Sequence, residues 1–210
     1  MADFVVTGTG RCGTAHCMIT LKLMGVPAAH ETFFTLGRRG FDESDRRAYA
    51  AYPTNDVALM AAPFLKQIGK PAVHLIRDPV DVVNSFLHLQ LSPLVPHEIT
   101  DFINHFVTLD GDTAADQWAD YWIKWNRMCA EEAAFTVQVE ALSRGEIPDV
   151  FLAPIVGAPG FVQHWRAASR FKNRVHDITG NLVPQHVVDR LRRAGEEYGY
   201  PAGPVEHPRR

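Results

Sequence analysis

Residues 8–14 read GTGRCGT, and Gly8 and Gly13 stand at the G-x-x-x-x-G spacing of a phosphate-cradling loop. Glycines at that spacing let backbone N–H groups turn inward, and a helix starting just after them adds the positive end of its dipole. The stretch therefore predicts an anion site. The next residues are Thr14 and Ala15, where a nucleoside-triphosphate loop carries Lys and then Ser or Thr. The lysine that reaches terminal phosphates and the hydroxyl that binds magnesium are both missing. What the turn carries is a cation of its own, Arg11. The pattern suits a ligand that needs a cradle and one charge but no metal. A sulfuryl group bonded to a phosphate fits, because it carries less negative charge than a terminal phosphoryl group.

A second cluster lies in LIRDPVDVVNSFLH, where Arg77 ends an apolar run and Asp78 stands at a helix N-cap, with Pro79 at the first helical position. Asp81, Ser85 and His88 then fall at i, i+4 and i+7, a polar stripe on the helix that starts there. Arg77 sits where α/β proteins place ligands, at the C-terminal end of a strand.

The elements that must position these groups alternate. Phe4-Val5-Val6 reads as a strand and Thr14 to Met24 as a helix closed by Gly25. Ala72 to Ile76 is a second strand, followed by a helix with Val82, Val83, Phe86 and Leu87 inward. Trp118, Tyr121, Trp122, Trp125 and Met128 recur at helical spacing over about 15 residues, a stripe read as core, and Phe135 to Val139 is a third strand. Residues 184–198 read as a final amphipathic helix with Val187, Val188, Leu191 and Ala194 inward. Strands alternating with helices predict an α/β fold, a three-layer parallel sheet with helices on both faces. One domain over residues 1–200 and a tail over 201–210 are expected.

Composition narrows the class. The 210 residues are 46% hydrophobic and 21% charged, with 21 basic and 24 acidic side chains and a formal net charge of −3, which does not favour a nucleic-acid partner. Cys12, Cys17 and Cys129 are too few and too irregularly spaced for a disulfide framework or a metal site, which suggests a reducing, cytoplasmic setting. No run approaches the length of a membrane span, and no leader pattern follows Met1.

Taken in this order, the two motifs resemble those of the PAPS-dependent sulfotransferases, the bacterial type in particular. In that family a strand leads into [K/R]-[S/T]-G-T, which Arg11-Cys12-Gly13-Thr14 matches with Cys12 in place of the usual hydroxyl residue. The family's second signature, a strand ending in R-[DN]-P and a serine on the next helix, is matched by Arg77, Asp78, Pro79 and Ser85. The resemblance extends to the aromatic helix, the VQVEAL strand ending and the terminal YGY. It implies that Gly10, Arg11, Cys12, Gly13, Thr14 and Ala15 hold the 5′-phosphosulfate of PAPS, and that Arg77 and Ser85 hold its 3′-phosphate. Lys172 and Arg174 are the candidates for a later loop over that phosphate. It implies Glu31 as the base, with His30 as runner-up, and His74 is set aside as a strand residue. The implied reaction moves the sulfuryl group to a hydroxyl or amine of a small molecule or glycan, releases PAP and requires no metal.

Other readings stay open. A kinase-like enzyme using a nucleoside triphosphate is disfavoured by Thr14-Ala15, and a non-catalytic nucleotide-binding protein of the same fold is a third class. Arg77 could instead pair with Asp78 or Asp81, and Cys12 at a helix start could be a low-pKa thiol. His88 and His176-Asp177 read as surface or capping groups. The acceptor pocket is expected in loops 32–56 and 90–116, where Phe102, Phe106 and Leu109 could line it or form a homodimer contact, while arginines 38, 39, 46 and 47 read as a solvated face.

Overall fold

In the computed structural model, which describes residues 1–89, 97–147, 151–153, 159–168 and 180–201, five strands form one sheet. They are β1 (Val5–Gly8), β2 (Ala28–His30), β3 (Asn55–Val57), β4 (Ala72–Ile76) and β5 (Phe135–Gln138), in the order β2-β3-β1-β4-β5. All are parallel, with Val5 opposite Asp56 on one side and Ala72 on the other. The helices are α1 (Thr14–Leu23), α2 (Glu43–Ala50), α3 (Leu65–Ile68), α4 (Pro79–His88), α5 (Glu98–Phe106), α6 (Ala114–Glu132), α7 (Val139–Arg144), α8 (Phe161–Ala168) and α9 (Gln185–Gly195). A 3-10 turn over Leu59–Phe64 leads into α3. The expected α/β architecture with a covered parallel sheet is the one observed.

Strand alternation splits the core into two. Phe4 and Val6 face a layer that holds Cys17 and Leu21 of α1 and Trp165 of α8. Val5 and Ile76 face the larger layer, built from Val82, Val83 and Phe86 of α4, Val187 and Leu191 of α9, and the aromatic stripe of α6. Trp118, Tyr121, Trp122 and Trp125 are all completely buried, and Phe86 stacks on Trp118 with centroids 4.0 Å apart. Rings packed this way carry a large share of an apolar core. The stripe is core, as its spacing predicts, and α6 runs to 19 residues rather than about 15.

Two strands escape the sequence reading. β2 and β3 have three residues each, and β3 is written Asn55-Asp56-Val57, yet all three are buried. Their polar atoms are spent on backbone. Asn55 Oδ1 accepts from the N–H groups of Asp3 and Phe4, and Asp56 Oδ2 accepts from those of Phe33 and Phe34 at 2.9 and 2.8 Å. Phe102 is fully buried and packs against Phe106 and Trp125, inside the core. On α2, Arg46 and Arg47 pair with Glu43 at the exposed surface. Among the described residues no helix is long and apolar enough to cross a membrane.

β1 is the point where the chain changes direction. The connection leaving β1 runs through α1 on one face, and the one leaving β4 runs through α4 on the other. The crevice between the C-terminal ends of such strands is where open α/β sheets bind ligands.

Candidate functional site

The glycine turn follows β1 directly. Gly8 is pressed so closely on β4 that a Cβ would lie 2.2 Å from the carbonyl oxygen of Leu75. Arg11 and Gly13 both take left-handed backbone, with φ of 68° and 97°. A non-glycine residue held there costs energy, and such outliers gather where the backbone must present its N–H groups in a fixed direction. Gly13 is the N-cap of α1, with no side-chain cap and no acidic residue in the first turn. The Thr14 N–H faces the Cys12 thiol, and no cap side chain takes the helix's opening N–H groups. The Gly10 N–H is taken by the hydroxyl of Tyr121 at 2.9 Å, from the middle of α6.

The two motifs, far apart in sequence, meet at this turn. Arg11 Nε donates to Ser85 Oγ at 2.9 Å, and Arg77 Nη1 donates to the carbonyl oxygen of Arg11 at 3.3 Å. Arg77 Nη2 reaches Asp81 Oδ2 at 3.3 Å, so the pairing with Asp81 and the place beside the loop coexist. Among the described residues no carboxylate pairs with Arg11. Its partial burial, and then the charge of Arg77, lower its pKa. Two guanidinium groups with a single carboxylate between them are an electrostatic demand for an anion.

Local structure holds Arg77 in this place. Asp78 caps α4, its Oδ1 accepting from the N–H groups of Val80 and Asp81, as its position before Pro79 predicts. Asp78 Oδ2 meets Arg192 of α9 at 2.5 Å in a buried ion pair, and the Asp78 N–H donates to Glu140. Glu140 in turn accepts from the hydroxyl of Tyr200 at 2.8 Å, which joins the VQVEAL and YGY stretches. The indole N–H of Trp122 donates to the Arg77 carbonyl. His88, on the same stripe as Asp81 and Ser85, turns away to the carbonyl of Gly180.

Glu31 and His30 come to the same crevice from the end of β2. Glu31 is, among the described residues, the other non-glycine residue at positive φ, 55°. Burial raises its carboxyl pKa, His30 opposes that rise, Asp56 adds to it, and the N–H of Leu59 opposes it through a hydrogen bond. His30 Nε2 lies 3.1 Å from Thr14 Oγ1, and its Nδ1 lies 3.9 Å from Glu31 Oε2. The sequence-derived residues Gly10, Arg11, Cys12, Gly13, Thr14, Ala15, His30, Glu31, Arg77 and Ser85 thus gather at one end of the sheet. Lys172, Arg174 and His176-Asp177 lie outside the described residues.

Cys12 departs from a reactive reading, and His74 is a strand residue as expected. Cys12 is completely buried and burial pushes its thiol up to about 12, so it is an inert core group and not a low-pKa thiol. His74 is buried between Asn126 Oδ1 at 2.9 Å and Thr136 Oγ1 at 3.1 Å, and burial lowers its pKa to about 4. It is a neutral structural histidine. Tyr121, Arg192 and Glu140 are the participants that sequence reasoning missed. Tyr121 was visible only as one ring of a stripe and Glu140 only as a member of the VQVEAL stretch, while Arg192 signals nothing locally.

No protein-family model matches this chain, and no curated protein matches it.

Proposed function

We propose that the protein is a PAPS-dependent sulfotransferase. The observation that carries this reading is the junction of Arg11 with Ser85 and of Arg77 with the Arg11 carbonyl, which makes one doubly cationic crevice from two separate motifs. The residues fit the donor. Gly13 leaves the start of α1 without a side-chain cap, where a phosphosulfate would bind beside Arg11, and Arg77 and Ser85 would hold a second phosphate. PAPS supplies the sulfuryl group, and PAP is the product. Arg11 and the loop amides stabilise charge on the leaving phosphate, and Glu31 takes the proton of the acceptor hydroxyl or amine. Burial supports that role by keeping Glu31 more basic than an exposed carboxylate. The acceptor is a small molecule or glycan, and the setting is cytoplasmic.

The kinase-like alternative lacks its central group, because Thr14 and Ala15 stand where the lysine and hydroxyl pair belongs. Calorimetric titration with PAP, beside ATP with and without magnesium, separates the classes. Micromolar or tighter PAP binding without metal, lost in Arg77→Ala, supports the proposal, whereas tight binding of magnesium-ATP alone overturns it. PAP binding with no transfer to a broad acceptor panel would favour a non-catalytic nucleotide-binding protein.

A further inference from the structure

A residue held at positive φ needs something to hold it, and the chain that follows Glu31 is drawn onto a single carboxylate. Asp56 Oδ1 accepts from the N–H of Thr32 at 3.2 Å, and Oδ2 accepts from those of Phe33 and Phe34 at 2.9 and 2.8 Å. The Thr32 hydroxyl reaches Oδ1 as well, at 3.5 Å. Consecutive N–H groups converge on one acceptor only where the backbone curls around it. Asp56 does not give way in return. It is completely buried in β3, opposite Val5 of β1 and Ala29 of β2, and its own N–H donates to the hydroxyl of Tyr49 at 3.3 Å.

A carboxylate is a costly choice for this place. N–H groups and a hydroxyl arriving together in the interior need two acceptor oxygens with no proton between them, which neither asparagine nor serine provides. Burying a charge without a counterion is expensive unless donors surround it. Among the described residues no Lys, Arg or His side chain pairs with Asp56. Its charge is met by these donors alone and still reaches Glu31, where it adds to the rise that burial produces. Two other titratable groups face Glu31. They are His30 of β2, which opposes the rise, and Tyr121 of α6, whose phenol burial pushes far above its ordinary value. Just past β3 the N–H of Leu59 donates to the Glu31 carboxyl itself. Glu31 is thus held at both ends, through the backbone behind it by Asp56 and through its carboxyl by Leu59.

We infer that Asp56 is a positioning residue for Glu31, fixing the turn that presents the Glu31 carboxyl beside the glycine loop. Its charge serves the same end by keeping that carboxyl basic. The role rests on the sulfotransferase reading, in which Glu31 takes the proton of the acceptor. Asp56 touches no reactant and acts through Glu31.

The test is nuclear magnetic resonance of the wild type and of Asp56→Asn, without nucleotide. Asparagine keeps one acceptor oxygen and sets an NH2 group against the remaining donors. Amide hydrogen exchange at Phe33 and Phe34 should quicken about tenfold or more, while the amides of β1 and β4 keep their protection. The Glu31 Cα shift should leave its left-handed value, and the Glu31 carboxyl should titrate at lower pH than in the wild type. A carboxylate that merely braced the core would speed exchange across the whole sheet and leave both Glu31 signals in place, and that result overturns the inference. Should Asp56→Asn not fold, the wild type decides, because Phe33 and Phe34 amides exchanging as slowly as those of β1 support the clasp and freely exchanging ones overturn it. Titration of the wild type with PAP separates the two readings. PAP binding with unmoved Glu31 signals in Asp56→Asn overturns the role of Asp56 alone. No PAP binding overturns the sulfotransferase reading, and with it the base that Asp56 would serve.

Discussion

Arg11 donates from Nε to the hydroxyl of Ser85 at 2.9 Å, across 74 positions of sequence. That bond ties the guanidinium of the glycine turn to the face of α4. Ser85→Ala removes the bond and leaves the charge. Charge-assisted hydrogen bonds contribute about 1.5–3 kcal/mol, and less where solvent reaches them. PAP affinity is expected to fall about fivefold with thermal stability nearly unchanged, as isothermal titration and a melting curve would show. An unaltered affinity would mean that Arg11 finds its direction without Ser85.

Glu31 gives two signals. Replacing a general base costs on the order of 10²-fold or more in turnover, so Glu31→Gln should nearly silence sulfuryl transfer once an acceptor is known. The second signal needs no acceptor. A carboxyl whose pKa is raised by folding contributes stability that is present in full below its unfolded value and is lost as pH rises through its folded value. Glu31→Gln removes that loss. Its melting temperature relative to the wild type should therefore climb from the ordinary carboxylate range upward and level off above the raised pKa. A difference that stays flat with pH would show that Glu31 is not shifted.

Glycines 8 and 13 separate two kinds of constraint. At Gly13 a Cβ would meet Trp165 and Val139 at an ordinary 3.7 Å, so the objection to alanine is φ of 97° alone. Gly13→Ala should cost about 1–2 kcal/mol and sharply weaken PAP binding by turning the helix start. At Gly8 the added carbon would strike the Leu75 carbonyl, and Gly8→Ala should fail to give folded protein. Denaturant titration of both variants checks this, and equal stabilities would contradict it.

Asp78 and Arg192 form a buried pair, each side chain 8% exposed. Removing one member of such a pair leaves a charge without a partner, at about 3–5 kcal/mol. Arg192→Met should fall in that range, and adding Asp78→Asn, which keeps a cap on α4, should restore most of it. A double-mutant cycle read by chemical denaturation measures the coupling, and additive losses would show that the pair is weak.

Much of the site was legible because its signals are local. The glycine spacing, the Asp78-Pro79 cap and the aromatic recurrence each lie within a dozen or so residues, and each marks a turn or face that its own chemistry requires. The short strands were not legible for the opposite reason. Asn55 and Asp56 read as loop residues, and they are strand residues because backbone N–H groups from Asp3, Phe4, Phe33 and Phe34 come to meet them. The same holds for Arg192, whose partner lies 114 residues earlier. Polar burial of this kind is decided by which distant groups arrive, and no window of sequence contains them.

The central position of β1 also bears on how the protein is made. Residues 8–14 leave the ribosome before the strands that flank them, since Val5 and Val6 pair with Asp56 and Val57, and Gly8 lies beside Leu75. Until that length of chain has emerged, the nascent glycine loop has no neighbours to hold its shape, and non-local parallel pairing of this sort is slow. The glycine loop is thus unable to mature until the chain has been made at least as far as Leu75, which lies beside Gly8.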